Sequence, residues 1–451
     1  MGLVMGYTAD WLTKTIQQAD EIRMWQSYGE DYYRQKNTAI MDRIKLVPTE
    51  TGGFVADPYK ANHKLPSGYL RVLIDQKVSY SLNDRMTSDG EYVASVLGDS
   101  WKKDIQRVGR DASMKGFGVW QFWIDNGKVK RKRIPPEQII PVYNSEDELV
   151  QVVRQYSKNN NGKQIDIAEV WDSETVTRFE CETGKDWIVA GFPEQHIVTR
   201  TSYGSKTSEE TGVSWGVVPF AIFKNNEYLD TDLSYIKNFI DSYDLVNSDF
   251  VNNLDDFQDS WWVLRNYDGQ NLSEFFDMVK KYKAVKVSDD GEARRETAEV
   301  PHEAKTVFLD RIKGDIYEYG MGVDVTGLAK NGGQMTTVEI RSKYGNLDLK
   351  ADKFEFEAEE FINTALSFYN NSVVNGSGNV QKDSVEITFD RSVLINEIEL
   401  STLANQSVGA ISEETRLAND PRVKDVKYEI SMMEPVIVAP TNSAPNLDSI
   451  V

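Results

Sequence analysis

The order of apolar and polar positions divides the chain into stretches of different period. From Asp10 to Lys36, apolar and aromatic residues stand at Trp11, Ile16, Ala19, Ile22, Trp25, Tyr28 and Tyr32, the spacing of one amphipathic helix. A loop containing Gly and Pro (TETGGFVADP) separates it from a second helix predicted over Ser67–Leu82, whose Leu70, Leu73, Ile74, Lys77 and Val78 keep one stripe. A third helix is predicted from Tyr92 to Met114, stopped by Gly116. The period then becomes two. Val119, Gln121 and Trp123 alternate with Trp120, Phe122 and Ile124, and the turn Asp125–Gly127 leads into Lys128–Ile134, a hairpin signature. Further strands are expected at Ile139–Tyr143, Val150–Tyr156, Ile165–Trp171, Val176–Cys181 and Trp187–Ala190. Up to about residue 225 the chain reads as an α+β unit with a mostly antiparallel sheet.

After Asp230 the helical period returns. Asp230 and Asp232 suit a helix N-terminus. Ile236, Phe239, Ile240, Tyr243, Val246, Phe250, Leu254 and Phe257 then hold one face, and Asp241, Asp244, Asp249, Asp255 and Asp256 the other. A short β–α–β passage follows, with Trp261–Arg265 strand-like, Ser273 capping a helix over Glu274–Tyr282, and Ala284–Val287 before a DDG turn. Pro301 starts another helix to Tyr319, with Val307, Phe308, Ile312 and Ile316 on one side. Beyond the glycine-interrupted Gly320–Gly333, Ile340, Tyr344, Leu347, Ala351, Phe354, Ala358, Phe361, Ala365 and Phe368 alternate spacings of four and three. A helix of ~35 residues would reach ~50 Å. Its stripe fits packing against another helix or a neighbouring subunit, and equally a long core helix within one chain; the alternating Ala and Phe call for a bulky facing surface. A strand at Val385–Phe389 and helices at Leu394–Ala410 and Ser412–Asn419 follow, the last opening with the capping run SEET. The tail from Pro435 is poor in packing residues and expected to be disordered.

Composition narrows the function. At 451 residues the chain is long enough for several domains. Its 51 Lys+Arg against 71 Asp+Glu leave a net charge of −20, which argues against coating nucleic acid through a broad basic face. Forty per cent hydrophobic residues argue against disorder, and no apolar run approaches the ~18 residues of a membrane span. A single cysteine, Cys181, rules out a disulfide framework and any multi-cysteine zinc site. His63, His196 and His302 are too scattered in sequence to suggest a triad, and read as surface or capping residues. There is no GxxxxGKS/T loop, GxSxG elbow, HExxH or paired CxxC, and the glycine-rich GFGVW and KNGGQ runs lack nucleotide-site spacing. No catalytic activity, cofactor or metal is expected. The start (MGLVMGYTADWLTK) lacks the pattern of a secretory leader, and Gly6 stands where myristoylation wants Ser or Thr, so a soluble chain, intracellular at synthesis, is expected.

Several runs, taken in order, carry a resemblance. They are IDQKVSYSLN (Ile74–Asn83), DASMKGFGVWQFWID (Asp111–Asp125), RIPPEQIIPVYN (Arg133–Asn144), and VPFAIFKNNE (Val218–Glu227) followed by IDSYDLVNSDFVNNLDDFQDSWWVLRNY (Ile240–Tyr267). NEIEL and ISEET complete the set. Collinear from about residue 20 to about 430, they resemble the portal proteins of tailed bacteriophages, in particular siphophage portals from Gram-positive hosts; each motif alone is weak. The SYSLND run departs from the family in lacking a glycine after the helix.

The resemblance implies an α+β portal fold: an α/β wing over 1–231, stem helices over 232–257 and 301–322, and a small α/β clip over 258–300. A tunnel loop over 323–336, the long wing helix and a strand over 337–391, a helical crown over 392–434 and the tail 435–451 complete it. It further implies a homo-oligomeric ring, expected to be dodecameric, at one capsid vertex. That ring would pass double-stranded DNA during packaging and ejection, and nucleate procapsid assembly with major capsid and scaffolding proteins. It would also dock the terminase large subunit and a head-completion or adaptor protein. Its place would be the virion, and the host cytoplasm during assembly, with no membrane involved. Candidate channel residues are Lys330, Asn331 and Gln334 in the tunnel loop and Lys305, Arg311 and Lys313 on the second stem helix. Lys280, Lys281, Lys283, Lys286, Arg294 and Arg295 would form a docking surface on the clip, while Trp261, Trp262, Tyr344, Phe354 and Phe361 would pack between subunits. The charge fits a conduit that must not hold DNA, because a ring multiplies the −20 of each chain into a repelling field. Two alternatives stand beside it: a phage-associated carbohydrate-binding or carbohydrate-active protein using acids and tryptophans, and a monomeric scaffold whose long helix packs internally.

Overall fold

The computed structural model describes residues 7–48, 53–56, 61–88, 92–160, 162–182, 185–203, 207–256, 261–265, 292–296, 302–326, 337–370, 384–391, 402, 404–418, 420, 422–423 and 426–432. The chain forms two compact units, one of residues 1–323 and 346–391 and the other of 324–345 and 392–451.

The larger unit opens with α1 (Ala9–Gln18) and α2 (Asp20–Tyr33), where the periodicity predicts one helix. The break falls at Ala19 because the two halves serve different cores. Leu12 and Ala19 pack with Ile140, Val153 and Phe179, whereas Tyr32 belongs to the main core with Leu70 and Ile74. After α3 (Thr38–Met41) and a hairpin of β1 (Leu46–Pro48) and β2 (Phe54–Ala56) comes α4 (Tyr69–Ser81). β3 (Thr87–Ser88), α5 (Tyr92–Leu97) and α6 (Trp101–Lys115) follow. The predicted helix Tyr92–Met114 is thus also two, divided at Gly98, whose positive φ of 81° reverses the chain. Gly116 ends α6 as expected, at φ 84°, and a Cβ there would sit 1.9 Å from the Leu229 carbonyl oxygen, so glycine is required twice over.

Three strands, β4 (Phe117–Asp125), β5 (Lys128–Ile134) and β14 (Phe220–Lys224), form an antiparallel sheet with β4 central. A second antiparallel sheet runs from β6 (Ile139–Tyr143) through β7 (Leu149–Asn160) and β8 (Lys163–Trp171) to β9 (Thr175–Glu182). The short strands β10 (Ile188–Val189) and β11 (Glu194–Gln195) both pair with β9, and β12 (Ile197–Tyr203) pairs with β13 (Thr207–Val213). In β5 the cationic run is not wholly solvent-facing: Arg131 bonds Asp104 at 3.1 Å and Arg133 pairs with Asp111 at 3.0 Å, both on α6.

Helix α7 spans Lys237–Asp256, β15 Trp261–Arg265, β16 Glu292–Glu296, and α8 His302–Tyr319. β15 pairs antiparallel with β16, a strand the periodicity did not indicate, while the helix expected at Glu274–Tyr282 lies outside the described residues. The long helix α9 covers Thr337–Asn370, ending two residues past Phe368, the last position of the expected stripe, and β17 (Ile387–Thr388) closes the unit against β3. From Leu347 to Phe368 the Ala/Phe stripe of α9 is buried in the chain's own core. The facing surface is the β4–β14 sheet: Phe354 and Phe361 stack on Phe223 at 4.9 and 5.4 Å, and Phe368 on Phe122 at 4.3 Å.

In the smaller unit, α10 (Glu413–Ala418) is capped by Ser412, whose Oγ accepts the Thr415 N–H, and α11 (Val426–Met432) follows it. Most of the helix expected at Leu394–Ala410, and the tail from Pro435, lie outside the described residues.

Candidate functional site

Helices α7 and α8 share one core through Ile240, Ile312 and Ile316, with Ile236 just before α7, and Phe239 stacks on Tyr319 at 5.1 Å. Tyr69 of α4 closes this packing edge-on against Tyr243 and Tyr317. Most of the first ten residues of α8 face outward, and Val307 and Phe308 stand 68% and 44% exposed.

The polar face of α7 is built differently from what its acids suggested. Asp244, Ser248 and Asn252 lie one turn apart and are all buried. They accept, in order, the backbone N–H groups of Ser67 (2.9 Å), Leu65 (3.0 Å) and His63 (2.6 Å). Four helical residues advance ~6.0 Å and two residues of extended chain ~6.6 Å, so alternate N–H groups of the 63–67 segment meet successive turns of α7. Asn37 donates a further bond to Asp244. Burial pushes the Asp244 carboxyl up from its ordinary range, with the Asn37 and Ser67 bonds opposing. Farther along, Arg43 grips Asp249 with both terminal nitrogens, at 2.9 and 3.0 Å.

Below the start of α7 lies a buried ionic cluster. Asp232, expected to favour a helix N-terminus, sits five residues before the helix begins and faces inward instead. Lys77 of α4 donates to Asn225 Oδ1 at 2.6 Å and to Asp232 at 3.4 Å. Lys350 of α9 reaches Asp232 at 3.1 Å, and Asn225 donates to the same carboxylate at 2.9 Å. Burial alone would raise the Asp232 pKa, but Lys350, Lys77 and Asn225 outweigh it and hold the carboxyl down at about 2. Burial lowers Lys77 to about 7, with Asp232 opposing and Lys350 assisting. The ammonium also lies 4.0 Å from the centre of the Phe354 ring. One charge cluster therefore ties α4, the start of α7 and α9 together. Its sequence signal was a lysine in the apolar stripe of the second predicted helix; the signal for the α7 ladder was the spacing of short polar residues, not of acids alone.

Of the proposed channel residues, Lys305, Arg311 and Lys313 all lie on α8, with Arg311 exposed and the other two half-buried. Lys305 Nζ lies 5.7 Å from the Phe250 ring centre and lines a cleft with Arg43, Lys45 and Asp249 between the helices and the 43–46 segment. Lys330, Asn331, Gln334, Lys280, Lys281, Lys283 and Lys286 lie outside the described residues. Trp261 and Trp262 pair in register with Glu296 and Arg295 across β15–β16, and Arg294 stands opposite Val263. Phe354 and Phe361, expected between subunits, are placed in the chain's own core at 1% exposure each, because the β4–β14 aromatics supply the bulky surface they need. Tyr344, also expected between subunits, is buried within the chain at 6% exposure.

Among the described residues, no group of three or more His, Cys, Asp or Glu is arranged to hold a metal, and no helix is long and apolar enough to cross a membrane. His196 is half-buried beside Trp171 and accepts the Trp215 N–H, and burial lowers its pKa.

Comparison with known proteins gives consistent matches. The family model described as phage portal protein, SPP1 Gp6-like, matches residues 14–435. The portal protein of Bacillus phage SPP1 is 28% identical over 420 residues, covering 90% of this chain and 82% of that protein. The portal protein of Clostridium phage phiCD119 is 27% identical over 431 residues, covering 88% and 89%.

Proposed function

Since the chain belongs to the SPP1 Gp6-like family of phage portal proteins, we propose that it assembles as a ring, of about twelve copies, at one vertex of the phage head. The ring is the passage for DNA during packaging and ejection, the nucleus of procapsid assembly with capsid and scaffolding proteins, and the platform for a terminase and a head-completion protein. The observation that carries this reading is the module of α7, the β15–β16 pair and α8. Two long helices bracket a short antiparallel pair in the order the resemblance implies, and α8 leaves Val307 and Phe308 exposed for burial by a neighbouring copy.

In this reading α7 and α8 are the stem, the segment between them is the clip, and its Lys280, Lys281, Lys283, Lys286, Arg294 and Arg295 face the docked partners. Lys305, Arg311 and Lys313 on α8 and Lys330, Asn331 and Gln334 in the tunnel loop meet the passing duplex. Trp261 and Trp262 of β15 lie toward neighbouring copies. Scattered cations on a chain of charge −20 steer DNA without anchoring it, since dense phosphate contacts would bind in a salt-dependent way and stall translation. The protein acts as a structural conduit, and the hydrolysis that drives packaging resides in the docked motor. Of the ten tryptophans on which the carbohydrate alternative would draw, Trp101, Trp120 and Trp215 are buried in the core.

Particle mass tests the reading. Twelve chains of 51.3 kDa give rings of ~600 kDa in mass photometry, with an annular outline in negative stain. Val307→Asp combined with Phe308→Asp is expected to abolish the rings while leaving the chain folded. A wild-type protein that stays at 51.3 kDa across all salt conditions would overturn the proposal.

A further inference from the structure

Around the end of α6 the larger unit gathers three carboxylates, and they are served unequally. Lys115 Nζ donates to Glu30 Oε2 of α2 at 2.7 Å and to Glu137 Oε1 of the 3-10 turn Pro136–Gln138. Burial would lower the Lys115 pKa, but its bonds to Glu137 and Glu30 outweigh it and hold the ammonium above its ordinary range. The same Lys115 bond holds the Glu30 carboxyl below its own. Both groups therefore stay ionised at neutral pH. Asp111, one turn before Lys115 on α6, is buried at 6% exposure. Its Oδ2 lies 3.0 Å from Arg133 Nε of β5, near enough for an ion pair but without hydrogen-bond geometry.

The cluster is short of hydrogen-bond donors. Among the described residues nothing donates to Asp111 Oδ2, to Glu137 Oε2 or to Gln26 Oε1, and all three atoms are closed off from the surface. Gln26 is fully buried and gives its amide N–H to the Lys115 carbonyl at 3.3 Å. Buried acceptors without donors cost free energy, and a carboxyl that gains a proton becomes a donor itself. The charged groups that face Asp111 are Arg133 on β5, Lys115 and Arg110 on α6, and Glu137 in the turn. Glu30 and Arg34, both from α2, stand on the far side of Lys115. Burial pushes the Asp111 carboxyl up to about 6, with Arg133, Lys115 and Arg110 opposing and Glu137 assisting.

We infer that this cluster is a proton-uptake site: Asp111 accepts one proton from solvent, its carboxyl turns from acceptor to donor, and Arg133 is released from α6. The joint between β5 and α6 then keeps Arg131, bonded to Asp104 at 3.1 Å. Arg133 is exposed and opens the way for the proton. The folded carboxyl, at about 6, lies above the ~3.9 of the unfolded chain. The stability this group contributes is thus fully present below the unfolded value and is lost as pH rises through about 6. Neutral pH holds the joint in its costlier, charged form.

Urea unfolding of the full-length protein from about pH 4 to about pH 7.5 tests it. Asp111→Asn is neutral at every pH and can donate. It is expected to be more stable than wild type at the upper end and to lose that lead as pH falls through about 6, a change on the order of a hundredfold in the ratio of folding constants. Asp244, Glu355 and Glu357, also raised by burial, are common to both chains and cancel in the ratio. Two further variants leave Asp111 in place and read the same proton. Arg133→Gln should move the midpoint of the pH transition up by about one unit, because Arg133 favours the charged carboxylate, and Glu137→Gln should move it down. A ratio that does not change with pH, an Asp111→Asn chain less stable than wild type at the upper end, or midpoints of the other two variants that fail to separate in these directions would each overturn the inference.

Discussion

The helices α9 and α7 are both long and amphipathic, yet they are held by opposite means. α9 lies on the β4–β14 sheet through Phe354, Phe361 and Phe368, a dry seam of stacked rings. α7 turns its buried polar side to Asp244, Ser248 and Asn252, which hold the backbone of the 63–67 segment, and is anchored below by the Lys77–Asp232–Lys350 cluster. Dispersion and area burial are non-directional and grip the helix wherever rings meet. Hydrogen bonds and buried charges are directional, and each costs free energy when its partner is lost. The seam therefore supplies stability to the larger unit, while the ladder sets the register of the 63–67 segment on α7.

Cutting the seam should have the largest effect. Phe361→Ala leaves a cavity between Phe223 and Trp120 and is expected to cost about 3–5 kcal/mol, read as a lower urea midpoint at every pH. Phe361→Leu should recover most of it.

Asp232→Ala probes the other mode. It strands Lys77 and Lys350, and is expected to cost roughly 3–4 kcal/mol near neutral pH. Its pH dependence distinguishes it from the first variant. The folded Asp232 carboxyl sits at about 2, below the ~3.9 of the unfolded chain. Its contribution is thus fully present above the unfolded value and is lost as pH falls through about 2. The gap between wild type and Asp232→Ala should close on acidification over that window, whereas the Phe361→Ala gap should not. A constant gap would show that the cluster acts by packing alone.

The smallest effect belongs to the ladder. Ser248→Ala deprives the Leu65 N–H of its acceptor and is expected to cost ~1–2 kcal/mol, with faster exchange at the Leu65 amide and little change in the β7–β8 peptides. Ser248→Thr should restore protection at that amide.

How much could be read beforehand differs between the two helices for the same reason. The α9 stripe declares itself because repeated Ala and Phe at spacings of four and three need only be counted. The α7 ladder does not, because the donors lie 177 to 189 residues away in a segment without regular structure. The breaks at Ala19 and Gly98 were hidden for a related reason: both flanking stretches keep a helical period, and only the competing demands of separate cores, or one left-handed glycine, divide them. Of this region, the helices α7 and α8 and the strand β15 between them were legible, while the pairing strand β16 and the inward turn of Asp232 were not.

By itself the sequence determined the α+β class, the order of its main elements, the long helix and its buried stripe, and the family, because period and collinear motifs are local properties that survive without contacts. Only the tertiary structure decided what those elements touch: that Phe354 and Phe361 meet their own sheet, and that Lys77 lies paired with Asp232 below the start of α7. Those choices rest on partners far apart along the chain, and a buried charge or ring takes its meaning from whichever distant group folding brings against it.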